Sequence, residues 1–248
     1  MTAMKQRLRD GDRLLGALVR MPAEELVEMV GVAGFDYVLI DCEHGPADLI
    51  PLRQHIAAAR VHGMDVLVRV GQQEPALIQR VLDHGAAGVV VPHIDDAGQA
   101  AAAVHAARYP PVGDRGFATY GRAGRYGTRT AADHLAADAR ETLVIAMVES
   151  TAGCRHAPEI VATPGVDGVM VGPADLAVSM GAHGPADPAV QAEIEKVHAA
   201  VADHQRIRLD IVSSDQRAAA AFDSGAGLVV INLTHVLMET FAKLRSVR

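Results

Sequence analysis

The sequence predicts an α/β chain folded as one (β/α)8 TIM barrel over residues 1–248, and three observations carry that reading. Short β-branched runs alternate with longer, Ala-rich amphipathic stretches from end to end, with no linker or low-complexity break. The alternation occurs eight times on mostly short connections, which suits a closed parallel barrel better than an open doubly wound sheet. The length of 248 residues matches the roughly 250 that such a barrel takes. Half the residues are hydrophobic, yet aromatics make up only 3% and Trp is absent. The core is therefore built from Ala, Val, Leu, Ile and Met, a composition suited to parallel strands buried on both faces.

Taken in order, strands are expected near Leu14 to Val19, Tyr37 to Asp41, Val66 to Val70, Gly88 to Pro92, Leu143 to Glu149, Gly168 to Gly172, Arg208 to Val212 and Leu228 to Asn232. Helices are expected over Pro22 to Val32, Leu49 to Val61, Pro75 to His84, Ala97 to Ala107, Pro188 to His204, Asp215 to Ser224 and His235 to Leu244. Pro22 and Pro75 sit where a first helical turn tolerates a missing N–H. One connection is out of proportion: Pro110 to Asp133 carries five glycines among several arginines, and a loop that long in a compact domain is functional or an oligomer contact.

Composition excludes several classes of function. The net charge of −7, with no cluster of Lys and Arg interleaved with aromatics, speaks against nucleic-acid binding. No apolar run approaches the roughly 20 residues that span a bilayer, and the charged stretch Met1 to Asp12 lacks the apolar centre of a secretory signal. Cys42 and Cys154 are too few for a disulfide framework or a zinc cluster, so the expected address is a reducing cytoplasm. No G-x-G-x-x-G follows the first strand, which leaves a dinucleotide site without support.

In such a barrel the reacting groups sit at the C-terminal ends of the strands, and polar residues do appear where the apolar strands run out. Strand two ends in Asp41-Cys42-Glu43-His44-Gly45, where a carboxylate three residues from a His can orient the ring as a general base; a helix-capping Asp beside a solvated His is the alternative. Strand three places Arg69 in an apolar run, either to grip a substrate carboxylate or to form an internal ion pair with Glu43 or Asp41. Strand five ends at Glu149, and strand six runs through Gly172-Pro173-Ala174 to Asp175. Two carboxylates with no His or Cys adjoining them in sequence are hard oxygen donors suited to Mg²⁺ or Mn²⁺, with Co²⁺ a further candidate. Against this stands the reading that Asp175 caps a helix and Glu149 forms an ion pair.

These segments resemble the HpcH/HpaI aldolase family of class II pyruvate aldolases, a group with a phosphoenolpyruvate/pyruvate-type barrel. The resemblance rests on Gly34-Phe35-Asp36-Tyr37 through Gly45, Leu67-Val68-Arg69-Val70, Gly88-Val89-Val90-Val91-Pro92, Arg115-Gly116, Arg122-Ala123, Val148-Glu149, and Gly165-Val166-Asp167-Gly168 through Leu176, in the family's order over most of the chain. It implies divalent-metal-dependent, reversible aldol cleavage of a 4-hydroxy-2-oxo acid to pyruvate and an aldehyde through a metal-stabilised enolate. It also implies roles. His44 with Asp41 would be the base, Arg69 would hold the pyruvyl group, Glu149 and Asp175 would bind the ion, and the backbone from Gly172 through Pro173 to Ala174 would line the carboxylate site. A homo-oligomer, trimer or hexamer, with the last helix packed on a neighbour is implied too. Two further readings stay open: a citrate-forming or decarboxylating enzyme acting on oxaloacetate, and a metabolite-binding barrel without turnover.

Lys5, Lys196 and Lys243, the only lysines, fall outside the strand-end clusters, which disfavours a Schiff base. Departures from the family pattern lie at Gly71-Gln72-Gln73-Glu74-Pro75, at Arg208-Leu209-Asp210-Ile211 and at Asn232-Leu233-Thr234-His235; none touches the base, Arg or metal positions, and what they leave open is the acceptor side. Arg122 and Arg125 could meet a distal substrate carboxylate or, slightly favoured, a neighbouring subunit. His183 and Asp187 are equally readable as exposed loop residues or as substrate contacts.

Overall fold

The computed structural model describes residues 2–45, 49–72 and 74–246. Eight parallel strands close on themselves in sequence order: β1 (Leu14–Val19), β2 (Tyr37–Asp41), β3 (Asp65–Arg69), β4 (Gly88–Val91), β5 (Leu143–Val148), β6 (Gly168–Val171), β7 (Ile207–Val212) and β8 (Leu228–Asn232), the last pairing back onto β1. Every expected strand is present within a residue of its predicted ends.

Around them run α1 (Met4–Arg9), α2 (Glu24–Val32), α3 (Leu49–Val61), α4 (Pro75–Asp83), α5 (Ala97–Ala107), α6 (Ala131–Glu141), α7 (Thr151–Arg155), α8 (Ala157–Ala162), α9 (Pro173–Ser179), α10 (Pro188–Asp203), α11 (Asp215–Asp223) and α12 (Leu233–Arg245). α2 starts later than its proline suggests because the Ala23 N–H is drawn outward to His55 Nε2, 3.0 Å away. α12 starts earlier than expected because the Asn232 side chain accepts the His235 N–H and caps it. α1 and α6 to α9 were not foreseen. Four of these five are only five to seven residues long, too short for a helical period to register.

Alternation along the strands sorts the core into two layers. Leu14, Tyr37, Leu39, Leu67, Val90, Leu143, Ile145, Met147, Met170, Leu209, Leu228 and Val230 fill the barrel interior. The intervening residues, such as Val38, Ile40, Val66, Val68, Val144 and Val169, pack outward on the helices. Interior space is shared unevenly: the Tyr37 ring lies where a Cβ on Gly16 would be, 2.3 Å from that point, and its hydroxyl donates to Val229 O. Continuing the same parity to the strand ends points Asp41, Arg69, Glu149 and Gly172 inward at the C-terminal mouth.

The N-terminal mouth is closed by α1. Met4 joins the interior core, and the buried Lys5 donates to Thr142 O and pairs with Asp167 at 2.6 Å. Asp167 also binds Arg108 at 2.8 Å and accepts the Val144 N–H. The long connection folds over this same end. It holds a single 3-10 turn at Arg125–Gly127, and Thr130 then caps α6 by accepting the Asp133 N–H. Arg115, within it, is buried between Asp83 and Asp138 and lies 4.5 Å over the Tyr109 ring.

Arg122 and Arg125 border a cleft of about 890 Å³ together with Asp65, Ala87 and Thr142, which lie at the starts of β3, β4 and β5. They stand at the opposite mouth from the strand-end carboxylates, so a substrate contact within one chain is ruled out for them. His183 and Asp187 lie in the α9–α10 connection, where Asp187 caps α10. Among the described residues no helix is long and apolar enough to cross a membrane.

Removing the Asp167 carboxylate strands Lys5 and Arg108 without their shared counter-ion. Asp167→Ala is expected to lower the unfolding free energy by about 3–5 kcal/mol in urea denaturation. A loss below ~1 kcal/mol would show that the plug is not held by this triad.

Candidate active site

The register of β2 on β3 sets Asp41 level with Arg69, both pointing into the C-terminal mouth. Arg69 Nε donates to Asp41 Oδ1 at 3.0 Å and Nη2 to Oδ2 at 2.5 Å, a two-pronged pair in which the carboxylate has no exposed surface. Arg20, just past β1, adds a third contact at 2.8 Å, and the N–H groups of Glu43 and His44 both reach Oδ1 at 3.2 Å. Burial pushes the Asp41 carboxyl up, but Arg69, the His44 N–H and Arg20 outweigh it and hold the group below its ordinary value.

This corrects one expectation. Asp41 does not orient the His44 imidazole: it meets His44 only through the backbone, because two guanidiniums and two N–H groups use up its lone pairs. The His44 ring is half exposed and stands 3.8 Å from Glu43 Oε2 instead. Arg69 likewise takes the internal-pair alternative. Its third nitrogen, Nη1, is 3.4 Å from Glu43 Oε2 and donates to Met147 Sδ, so the buried guanidinium has protein partners on every nitrogen.

Glu149 follows β5 with its side chain only 2% exposed. Oε1 accepts the His93 N–H at 2.7 Å and lies 3.2 Å from His93 Nδ1. Burial raises its carboxyl above the ordinary value, the His93 contacts oppose the rise, and the charges of Glu43 and Asp175 reinforce it. Asp175, exposed in the first turn of α9, is close enough for its charge to act on Glu149, but it is not among the donor atoms of Glu43, His93 and Glu149 that cluster within 4.8 Å. It is not the N-cap; Gly172 holds that position. Gly172 itself makes room for Glu149: a Cβ there would sit 2.6 Å from Glu149 Oε2 and 2.7 Å from the Met147 methyl. Pro173 and Ala174 follow as the first helical residues.

Two participants were missed by sequence reasoning. Glu43 was read only as a neighbour in the Asp41 cluster, and His93 was not singled out at all. His93 Nε2 lies 3.1 Å from Glu43 Oε1, so the ring bridges Glu43 and Glu149. The available signal was its position two residues past the end of β4, next to the strand whose end carries Glu149.

Among the described residues of this rim, four carboxylates (Asp41, Glu43, Glu149 and Asp175) face two guanidiniums, an excess of two negative charges before the imidazoles are counted. Glu43 Oε2 is buried and makes no hydrogen bond. Hard oxygen donors, a buried carboxylate oxygen that lacks a hydrogen bond and a charge excess of two together fit a divalent cation. Lys5 is sealed under the other mouth, while Lys196 pairs with Glu193 on α10 and Lys243 is on α12, so no described lysine reaches the site.

The family model described as HpcH/HpaI aldolase/citrate lyase matches residues 18–232. A hydroxypyruvate/pyruvate aldolase of Pseudomonas aeruginosa is 36% identical over 97% of this chain and 90% of its own. A 5-keto-4-deoxy-D-glucarate aldolase of Klebsiella pneumoniae is 39% identical over 71% of this chain and 69% of its own. The crystal structure of a family member from Burkholderia cenocepacia superposes with a TM-score of 0.90 at 33% identity, covering 99% and 98% of the two chains. The chain belongs to the HpcH/HpaI aldolase/citrate lyase family. It is a carbon–carbon lyase.

Because the folded pKa of Asp41 lies below its unfolded value, its contribution to stability is in place above about pH 4 and is lost as pH falls through the folded value. The difference in unfolding free energy between wild type and Asp41→Asn, measured by denaturation at a series of pH values, is therefore expected to narrow from pH 6 to pH 3. A gap constant with pH would contradict the assignment.

Proposed function

We propose that this enzyme cleaves a 4-hydroxy-2-oxo acid reversibly to pyruvate and an aldehyde, with a divalent ion, Mg²⁺ or Mn²⁺, held by Glu149 and Asp175. The observation that carries the reading is the carboxylate excess around Glu149 beside the inward-pointing Arg69. The names of the aldolase relatives support the same reaction class.

When bound, the ion supplies a Lewis acid for the 2-oxo group. His44, exposed and not tied to Asp41, takes the proton from the C4 hydroxyl. The C3–C4 bond then breaks, its electrons pass toward the C2 oxygen, and the aldehyde leaves as pyruvate enolate forms. Arg69, braced by Asp41 on Nε and Nη2, turns its Nη1 edge to the negative charge that develops. The bracing matters because a guanidinium already held in place pays no ordering cost during the reaction. The backbone from Gly172 to Ala174 takes the substrate carboxylate, next to the Glu149 carboxyl that the missing Cβ admits.

The enzyme works in the cytoplasm, a reading supported by two free, buried cysteines. It assembles as a homo-oligomer, trimer or hexamer, supported by α12, which has no buried residue and exposes Met238, Phe241 and Leu244.

The test is pyruvate release from 4-hydroxy-2-oxo acids, coupled to an indicator dehydrogenase. Activity is expected to vanish with EDTA and return with Mn²⁺ or Mg²⁺, to be lost in Glu149→Gln and Asp175→Asn, and to fall roughly 10²–10⁴-fold in His44→Ala. Unchanged turnover after chelation would remove the ion from the mechanism, and an unchanged rate in His44→Ala would remove the base. Coenzyme A release from acetyl-CoA and oxaloacetate, without pyruvate release, would favour the citrate-forming reading.

A further inference from the structure

His93 is held in an uncommon way for a residue with no assigned task. Its φ of +55° lies in the left-handed region that L side chains rarely adopt, so the fold carries a local cost to present it. The strained peptide sends its N–H to Glu149 Oε1 and leaves the ring spanning Glu149 and Glu43, 3.2 Å and 3.1 Å away. One donor atom each from Glu43, His93 and Glu149 lies within 4.8 Å of the other two, close enough for a small movement of the side chains to bring all three onto one ion. Oε2 of Glu43 is buried without a hydrogen bond, with Arg69 Nη1 3.4 Å away as its counter-charge.

A neutral imidazole offers one lone pair and one N–H. With a carboxylate on each side, His93 can give the lone pair to an ion and keep the N–H on the remaining carboxylate oxygen, which fixes its tautomer and orientation.

We propose that His93 is itself a ligand of the divalent ion, with Glu149 and Glu43 beside it, so that this centre contains an imidazole nitrogen and takes Co²⁺, Ni²⁺ or Zn²⁺ in preference to Mg²⁺. The inference rests on the ion site proposed above and shares Glu149 with it, but it changes the chemistry of the donor set. Oxygen-only sites suit Mg²⁺, whereas a nitrogen donor favours the later first-row ions.

The experiment is pulsed electron paramagnetic resonance on the full-length protein loaded with Mn²⁺ or Cu²⁺, together with calorimetric competition between Co²⁺ and Mg²⁺. Wild type is expected to show imidazole-nitrogen coupling. His93→Asn, whose amide tolerates the left-handed backbone, is expected to lose the coupling and at least about tenfold of the Co²⁺ over Mg²⁺ preference. An ion in wild type surrounded by oxygen alone overturns the inference whether or not the variant folds, as does nitrogen coupling that survives in His93→Asn. Glu149→Gln and Asp175→Asn separate the two claims. If both lose the ion while wild type shows only oxygen ligands, the ion site stands and the His93 assignment falls. If both bind as wild type does, the ion site of the proposed function fails and this inference fails with it.

Discussion

A buried carboxylate gripped by two guanidiniums organises the working end of this barrel. Asp41 has no exposed side-chain surface, and its negative charge is compensated by Arg69 and Arg20 together with two backbone N–H groups. Taking such a group out of water costs several kcal/mol unless its lone pairs are filled, and here they are. In consequence the turn after β2 is folded back on its own strand end, Arg69 is locked in one orientation, and Glu43 is delivered toward β4 and β5. The histidine of the same turn is left half exposed to solvent.

The two mouths of the barrel divide the labour. Below, Lys5 and Arg108 share Asp167 while Arg115 sits between Asp83 and Asp138, so three cations meet three carboxylates, and the glycine-rich connection lies over that seal. Above, the charges do not cancel, and the surplus is negative. That asymmetry is what separates a stabilising end from a reactive one in this architecture.

Much of this was legible in the sequence. A strand interior tolerates few charges, so Asp41, Arg69 and Glu149 stood out against Tyr37–Ile40, Val66–Val68 and Leu143–Val148, and each turned out to face inward by parity. What did not follow from local pattern was pairing across strands. Which of two neighbouring carboxylates, Asp41 or Glu43, would take Arg69 and which would turn to β4 depends on parallel register, which no short window of sequence encodes. His93 was invisible for a related reason: one imidazole after a proline has no periodicity, and its meaning arises only from residues 50 and 56 positions away. The short helices α7 to α9 were missed because each is held by a serine or proline at its start and by packing, not by an amphipathic repeat.

The absent side chain at Gly172 has a practical corollary for redesign. Because Glu149 and the Met147 methyl already occupy the volume that any larger residue would claim, the rim above β6 is closed to diversification. A library seeking other substrates should leave that position alone and draw its variation from the end of β7, where Ile211 is partly exposed and packs with the barrel interior.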